Sequence, residues 1–281
     1  MRAACDAQRQ HPRHQFIGLC LALPAQSEVV ADHPDPVVLY PDIAARGSLG
    51  AALRAVAEEG GFSIPVTASA SSPLIHATVA STLPHREALL VRSWAIKRRW
   101  SIRGEESFQG MALIDGDTED LAQVVRAAQA WHDGVALSEI RKAAAFVHLT
   151  GRFEVPDHDP VHLTESEWQH LRTEARELER PGNAYHALVE AAYAESALRG
   201  LYPFTSHWTL RFSTTTRPHL TIYGPCLLAH DVDRYTVSAK LTGTDALAQT
   251  TTTQEAVAAA VRYLPHRPGP VTSGAVRADS R

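Results

Sequence analysis

Phe146-Val147-His148-Leu149-Thr150-Gly151-Arg152-Phe153 is the stretch whose reading decides the fold. Its run of apolar and β-branched residues predicts extended chain, and Asp157-His158-Asp159-Pro160 then predicts a turn. Beyond the turn, Thr164-Glu165-Ser166-Glu167-Trp168-Gln169-His170 reads as a helix start: Thr164 with Glu167 has capping-box spacing, and Trp168, Leu171, Ala175 and Leu178 fall on one face. A further helix is predicted over Ala184 to Arg199, and strands resume after Pro203-Phe204-Thr205-Ser206-His207-Trp208. A helical middle therefore separates two β-rich halves.

Working outward, the N-terminal half carries a short strand at Val37 to Tyr40 and a helix from Ser48 to Glu59 with Leu49, Leu53 and Val56 on one face. Phe62 to Val66 reads as an edge strand, because Pro65 cannot donate to a ladder. Three antiparallel strands follow at Leu89 to Val91, Trp100 to Arg103 and Gln109 to Ile114, with Gly104 and Gly116 marking turns. Thr118 caps a helix carrying Leu121, Val124, Val125, Ala128 and Trp131, and Leu137 to Phe146 forms a short second helix. The C-terminal half reads as a four-stranded meander, His207 to Phe212, His219 to Tyr223, Cys226 to Ala229 and Tyr235 to Leu241, closed by a helix that Thr252 and Glu255 cap. The fold class is α+β: two antiparallel β-meander plus helix units around a helical middle. The divisions are a flexible leader 1–36, an N-terminal unit 37–146, a helical middle 147–200, a C-terminal unit 201–265 and a disordered tail 266–281. Trp100-Ser101-Ile102-Arg103 and Trp208-Thr209-Leu210-Arg211 share one residue pattern, which makes an internal repeat a candidate and places each Arg on the outer face of its sheet.

Composition narrows function by exclusion. With 27 basic and 31 acidic residues the chain has no basic field to draw nucleic acid or an anionic membrane. No run reaches the roughly 18 apolar residues of a membrane helix. Cys5, Cys20 and Cys226 supply neither a disulfide framework nor a Cys-x-x-Cys pair, which favours a cytoplasmic location. Phe16 to Ala25 has the outline of a signal-peptide core, but Leu23 occupies a position where cleavage needs a small residue. Dinucleotide, P-loop, nucleophile-elbow and zincin motifs are all missing from the sequence.

The polar residues of the centre supply the site candidates. His158 and His162 flank Asp159, with Glu165 beyond, but Pro160 keeps the two imidazoles off one helical face, and no metal or cofactor is assigned. Ser206 and His207 are adjacent and so point to opposite sides of a strand, which is not triad geometry. Arg152, Glu154 and Arg211 offer anion or carboxylate contacts if they converge. Cys226, leading into Leu227-Leu228-Ala229, reads as a buried thiol.

Leu39-Tyr40-Pro41-Asp42-Ile43, His76 to Ala80, Phe108-Gln109-Gly110, Ala130 to Gly134, Phe146 to Pro156, Leu163 to Leu171 and Tyr202 to Thr216 resemble an actinobacterial family of unknown function whose members are labelled natural-product biosynthesis proteins. The resemblance spans roughly residues 37 to 264. It implies a cytoplasmic accessory or tailoring protein that holds a small-molecule or peptide intermediate, expected in a groove between the two sheets; the chain's own polar residues His148, Arg152, His207 and Arg211 are the candidates for the groove wall. The alternative is a non-enzymatic interaction or immunity-type module that binds a partner protein through an exposed sheet face. Neither reading involves nucleic acid or a membrane.

Overall fold

The structure is a computed structural model that describes residues 34–107, 110–178, 184–206, 208–241, 245–266 and 269–274. Among these residues it has nine helices and thirteen strands. No helix among them is long and apolar enough to cross a membrane.

The N-terminal half opens with α1 (Pro36–Leu39) and α2 (Pro41–Ala45), where a strand was expected. The physical reason is local: the Asp35 carboxylate accepts the Val37 amide at 2.8 Å, and prolines occupy the first position of both helices, where a missing N–H costs nothing. Tyr40 between them is buried, and its hydroxyl lies within 3.0 Å of the Trp94, Lys97 and Arg99 carbonyls. The helix capped by Ser48 is α3 (Leu49–Glu59), as expected, and leaves through Gly61 at φ 73.

Six strands then form one antiparallel sheet in chain order: β1 (Val66–Ala68), β2 (His76–Val79), β3 (Leu89–Ser93), β4 (Trp100–Glu105), β5 (Ala112–Thr118) and β6 (His148–Leu149). Before β6 come α4 (Leu121–His132), capped by Asp120 rather than Thr118, and α5 (Leu137–Ala143). Helices α3 and α4 cover one sheet face, where Leu53, Leu89, Val91, Trp100, Ile102 and Trp131 form the first core. β2 escaped the sequence reading because its four residues, His76-Ala77-Thr78-Val79, bury only Ala77 and Val79. Gly104 and Gly116 lie inside β4 and β5 and do not make turns. Each admits a close approach: a Cβ at Gly104 would stand 2.6 Å from the Trp131 ring, and one at Gly116 would stand 2.5 Å from the Phe146 carbonyl.

The second half begins with α6 (Pro160–Glu177), four residues before the expected box. Asp159 caps it by accepting from the Val161 and His162 amides at 2.9 and 3.0 Å, so the Thr164 hydroxyl turns back to the Pro160 carbonyl and Glu167 is left free of capping. The predicted third helix is broken by Glu195 into α7 (Ala184–Ala194) and α8 (Ser196–Arg199). β7 (Tyr202–Ser206), β8 (Thr209–Ser213), β10 (Cys226–Asp231), β11 (Arg234–Ser238) and β12 (Ala246–Thr250) build a five-stranded antiparallel sheet in the order β12-β11-β10-β8-β7. The meander thus gains β7 and β12, and His219 to Tyr223 contributes only a bridge from Ile222 to Ser213. Pro203 fits because β7 is an edge strand.

The helix after Thr252 is α9 (Thr253–Arg262), and Thr252 accepts the Glu255 amide as the box predicts. Within the stretch read as a tail, β13 (Thr272–Gly274) pairs in parallel with β9 (Thr215–Pro218). Helices α6 and α7 of the helical middle, together with α9, pack on the second sheet, so Trp168, Leu171, Leu188, Phe212, Leu227 and Val237 share a second core. The two Trp tetrads are not placed alike: Trp100 is a core residue within β4, whereas Trp208 precedes β8 at φ 64 and packs edge-on against Tyr185 at 6.2 Å. In both, the Arg projects from the face opposite the buried aliphatic.

Gly104→Ala tests the close approach in β4. The Trp131 ring cannot retreat freely, because its Nε1 donates to the Glu87 carbonyl at 3.0 Å and the Arg86 guanidinium stacks on it at 4.7 Å. The substitution is expected to cost about 1–3 kcal/mol, read as a lowered denaturation midpoint at unchanged m-value.

Candidate functional site

The central stretch after β6 is a polar seam whose side chains reach both halves of the chain. Arg152 turns toward α6: its Nε and Nη2 donate to the two Glu167 oxygens at 2.8 and 3.0 Å, and its Nη1 donates to the Ala112 carbonyl at 3.2 Å. Both side chains are nearly excluded from water, at 7% and 4% exposure. Burial pushes the Glu167 carboxyl up, but the Arg152 guanidinium outweighs it and holds the group below the usual carboxylate range. His170, one turn on, points Nδ1 at the Thr150 carbonyl at 2.6 Å; since a carbonyl only accepts, Nδ1 carries the proton. Burial lowers the His170 pKa and keeps the ring neutral, and it raises the Glu174 carboxyl and the Tyr202 phenol of the same seam.

Glu154 turns the other way. Arg86 donates to it from Nε at 2.6 Å and Nη2 at 3.0 Å, His85 approaches the same carboxylate at 2.9 Å, and Arg86 Nη2 also reaches the Val135 carbonyl. Burial raises Glu154, and the Arg86 contact more than reverses it. Glu106 behind it accepts the Val155 amide at 2.5 Å, and burial pushes its carboxyl up. A cleft of about 420 Å³ opens beside this cluster, lined by Phe153, Glu154, Val155, Pro156, Asp157 and His162. His162 Nδ1 stands 3.9 Å from both Asp157 and Asp159, and among the described residues no three His, Cys, Asp or Glu side chains are grouped to hold a metal.

Of the sequence-predicted residues, the three that are described have different partners. His148 on β6 is held between Asp115 and Glu177 at 3.0 and 2.9 Å. Arg152 is engaged on every guanidinium nitrogen. Arg211 on β8 lies 5.3 Å over the Phe204 ring and beside Cys226, with different partners from Arg152. His207 lies outside the described residues.

Sequence reasoning missed the enclosed groove that lies next to Arg211. It measures about 210 Å³ and occupies the face of the second sheet opposite the helices. Register builds it: Cys226 opposes Ser238, Leu228 opposes both Thr209 and Thr236, and Gln249 opposes Thr236, so these side chains share one face. Leu210, Phe212, Leu227, Tyr235 and Val237 take the other face, under the helices. His230 meets the Thr236 hydroxyl at 2.9 Å, and Lys240 at the rim meets Asp245 at 3.6 Å. Among the described residues no carboxylate belongs to the groove lining. Burial pushes the Cys226 thiol up, with Arg211 beside it only partly countering, so the thiol stays protonated and unreactive at neutral pH. The sequence signal was present in the alternation of hydroxyl and apolar residues along β8 and β11, but only strand register shows that those hydroxyls meet.

The seam makes a prediction about Arg152. Removing one member of a buried ion pair strands the other, so Arg152→Ala is expected to cost about 3–5 kcal/mol. The double variant Arg152→Met with Glu167→Leu is expected to recover most of that loss. Denaturant titrations of the three proteins check it; equal stability of wild type and Arg152→Ala would show that the pair is not holding the seam.

Residues 162–275 match the profile of a family of unknown function, DUF6193. The match runs from the first turn of α6 past β13, and so contains the whole second sheet and its groove, while His148 and Arg152 lie outside it. No curated protein and no solved structure matches the chain.

Proposed function

We propose that the protein is an accessory or tailoring component of natural-product biosynthesis that binds a small-molecule or peptide intermediate through a carboxylate, in the groove on the open face of the second sheet. The observation that supports this is the lining: hydroxyls from Thr209, Thr236 and Ser238, the His230 imidazole and the Lys240 ammonium, with no acidic side chain among them. Hydroxyl donors with a cation at the rim suit an anionic group. Asp245, which holds Lys240 at the rim, is the partner a ligand carboxylate replaces. The thiol in the groove is kept neutral, which suits a binding surface better than a thiolate nucleophile. The biosynthetic setting rests on the resemblance over residues 37 to 264.

A second reading, a protein-interaction or immunity-type module, draws on the N-terminal half. Val37 and Val38 on α1 and Ile96 in the loop that Tyr40 grips are exposed apolar side chains that a protein partner could cover.

The two are separated by titrating the purified protein with carboxylic acids and their matched primary amides while following its melting temperature. The acids are expected to stabilise and the amides not, and Lys240→Ala is expected to weaken acid binding by about 1 kcal/mol, roughly fivefold. Equal stabilisation by amides would refute the carboxylate site. No stabilisation by either series, with a protein partner lost on substituting Val38 and Ile96 by Asp, would establish the second reading.

A further inference from the structure

His148 stands where the first sheet meets the end of α6. Its Nδ1 faces Asp115 of β5 at 3.0 Å and its Nε2 faces Glu177, the last residue of α6, at 2.9 Å. Both partners are carboxylates, which only accept, while a neutral imidazole has a single N–H to donate. Only the imidazolium satisfies both contacts at once. Helix polarity adds to this, since a carboxylate in the last turn of a helix sits at the negative end of the dipole and gains from a nearby cation.

We propose that His148 is a pH-operated latch that fastens the C-terminal turn of α6 to the first sheet, closed as the imidazolium and released as the imidazole. The charged groups around it are few. From β5 comes Asp115, and from α6 come Glu177 and, one turn earlier, Glu174, which faces Arg152 and Glu167. Helix α5, which also packs on β6, holds its Glu139 and Lys142 in their own pair at 2.6 Å and leaves Arg141 exposed. The surroundings of His148 are therefore acidic, and the hydrogen bond to Asp115 outweighs partial burial to raise its pKa above the ordinary 6.5. A raised folded-state value fixes the sign: the latch is fully closed below the ordinary imidazole pKa and opens as pH rises through the raised one. Near its middle α6 stays held by the buried pair of Glu167 with Arg152, since the Glu167 carboxyl is kept below the usual carboxylate range and so does not titrate in that window.

Hydrogen exchange of the full-length protein at about pH 5.5 and about pH 8.5, corrected for intrinsic rates, brackets the imidazole titration. In the wild type, amides of the last turn of α6 are expected to lose protection severalfold at the higher pH, while those around Glu167 do not change. His148→Gln is expected to exchange at both pH values like the wild type at high pH. Glu177→Gln, at an exposed helix end, provides an independent reading and is expected to abolish the pH dependence. Equal wild-type protection at the two pH values, or a pH dependence that survives in either variant, would overturn the latch.

Discussion

One buried ion pair, Arg152 with Glu167, decides how the chain is joined. It fixes α6, the first helix of the second half, to the carbonyl edge of β5 in the first, in a place where neither charge has water to fall back on. A buried pair of this kind contributes less net stability than its geometry suggests, because desolvation offsets most of the attraction. Its value is in register. Arg152 reaches both Glu167 of α6 and the Ala112 carbonyl of β5, and Glu154, two residues on, accepts from Arg86, so two neighbouring ion pairs anchor one short irregular segment. Sliding the segment by one residue would bury both charges against the wrong partners.

The same pair explains the main misreading of the sequence. Thr164 and Glu167 have capping-box spacing, and nothing local distinguishes them from Thr252 and Glu255, which do cap α9. The difference is a competing Asp159-Pro160 upstream and an Arg brought in from outside the helix. Elements decided by neighbours in sequence were legible: α3 from its Ser cap and its stripe, α4 from Leu121 to Trp131, and the α+β class from the alternation of the segments. Elements decided by contacts were not. Gly104 looks like a turn residue until Trp131 is seen above it, and β12 carries so few buried side chains that its partner β11 alone reveals it as a strand. The site candidates follow the same rule: the polar residues of the central stretch stand out in sequence because they are charged among apolar neighbours, and that is the mark of internal pairing as much as of binding.

Helices α3 and α4 cover one face of the first sheet, and α6, α7 and α9 cover one face of the second; the opposite faces differ in character. The outer face of the first carries Arg92, Arg103 and Asp117, a mixed and solvated surface. On the second sheet the open face hides Cys226, Thr209 and Ser238 almost completely and concentrates small hydroxyl side chains around a hollow. Short side chains on a twisted sheet leave volume that longer ones would fill, so the hollow is a direct result of the residues chosen for β8, β10 and β11.

The parallel pairing of β9 with β13 gives the second half an unusual dependence on chain order. Thr215 must wait for Thr272, so the strands between them and α9 all have to be in place before this small sheet can close. On a ribosome, the first core, whose members end near Leu149, can assemble while the rest is still being made. The second unit becomes complete only once Thr272 to Gly274 have emerged, and until then it lacks the clasp that β13 forms with β9. The protein is therefore built in two instalments, with the half that holds the groove finished last.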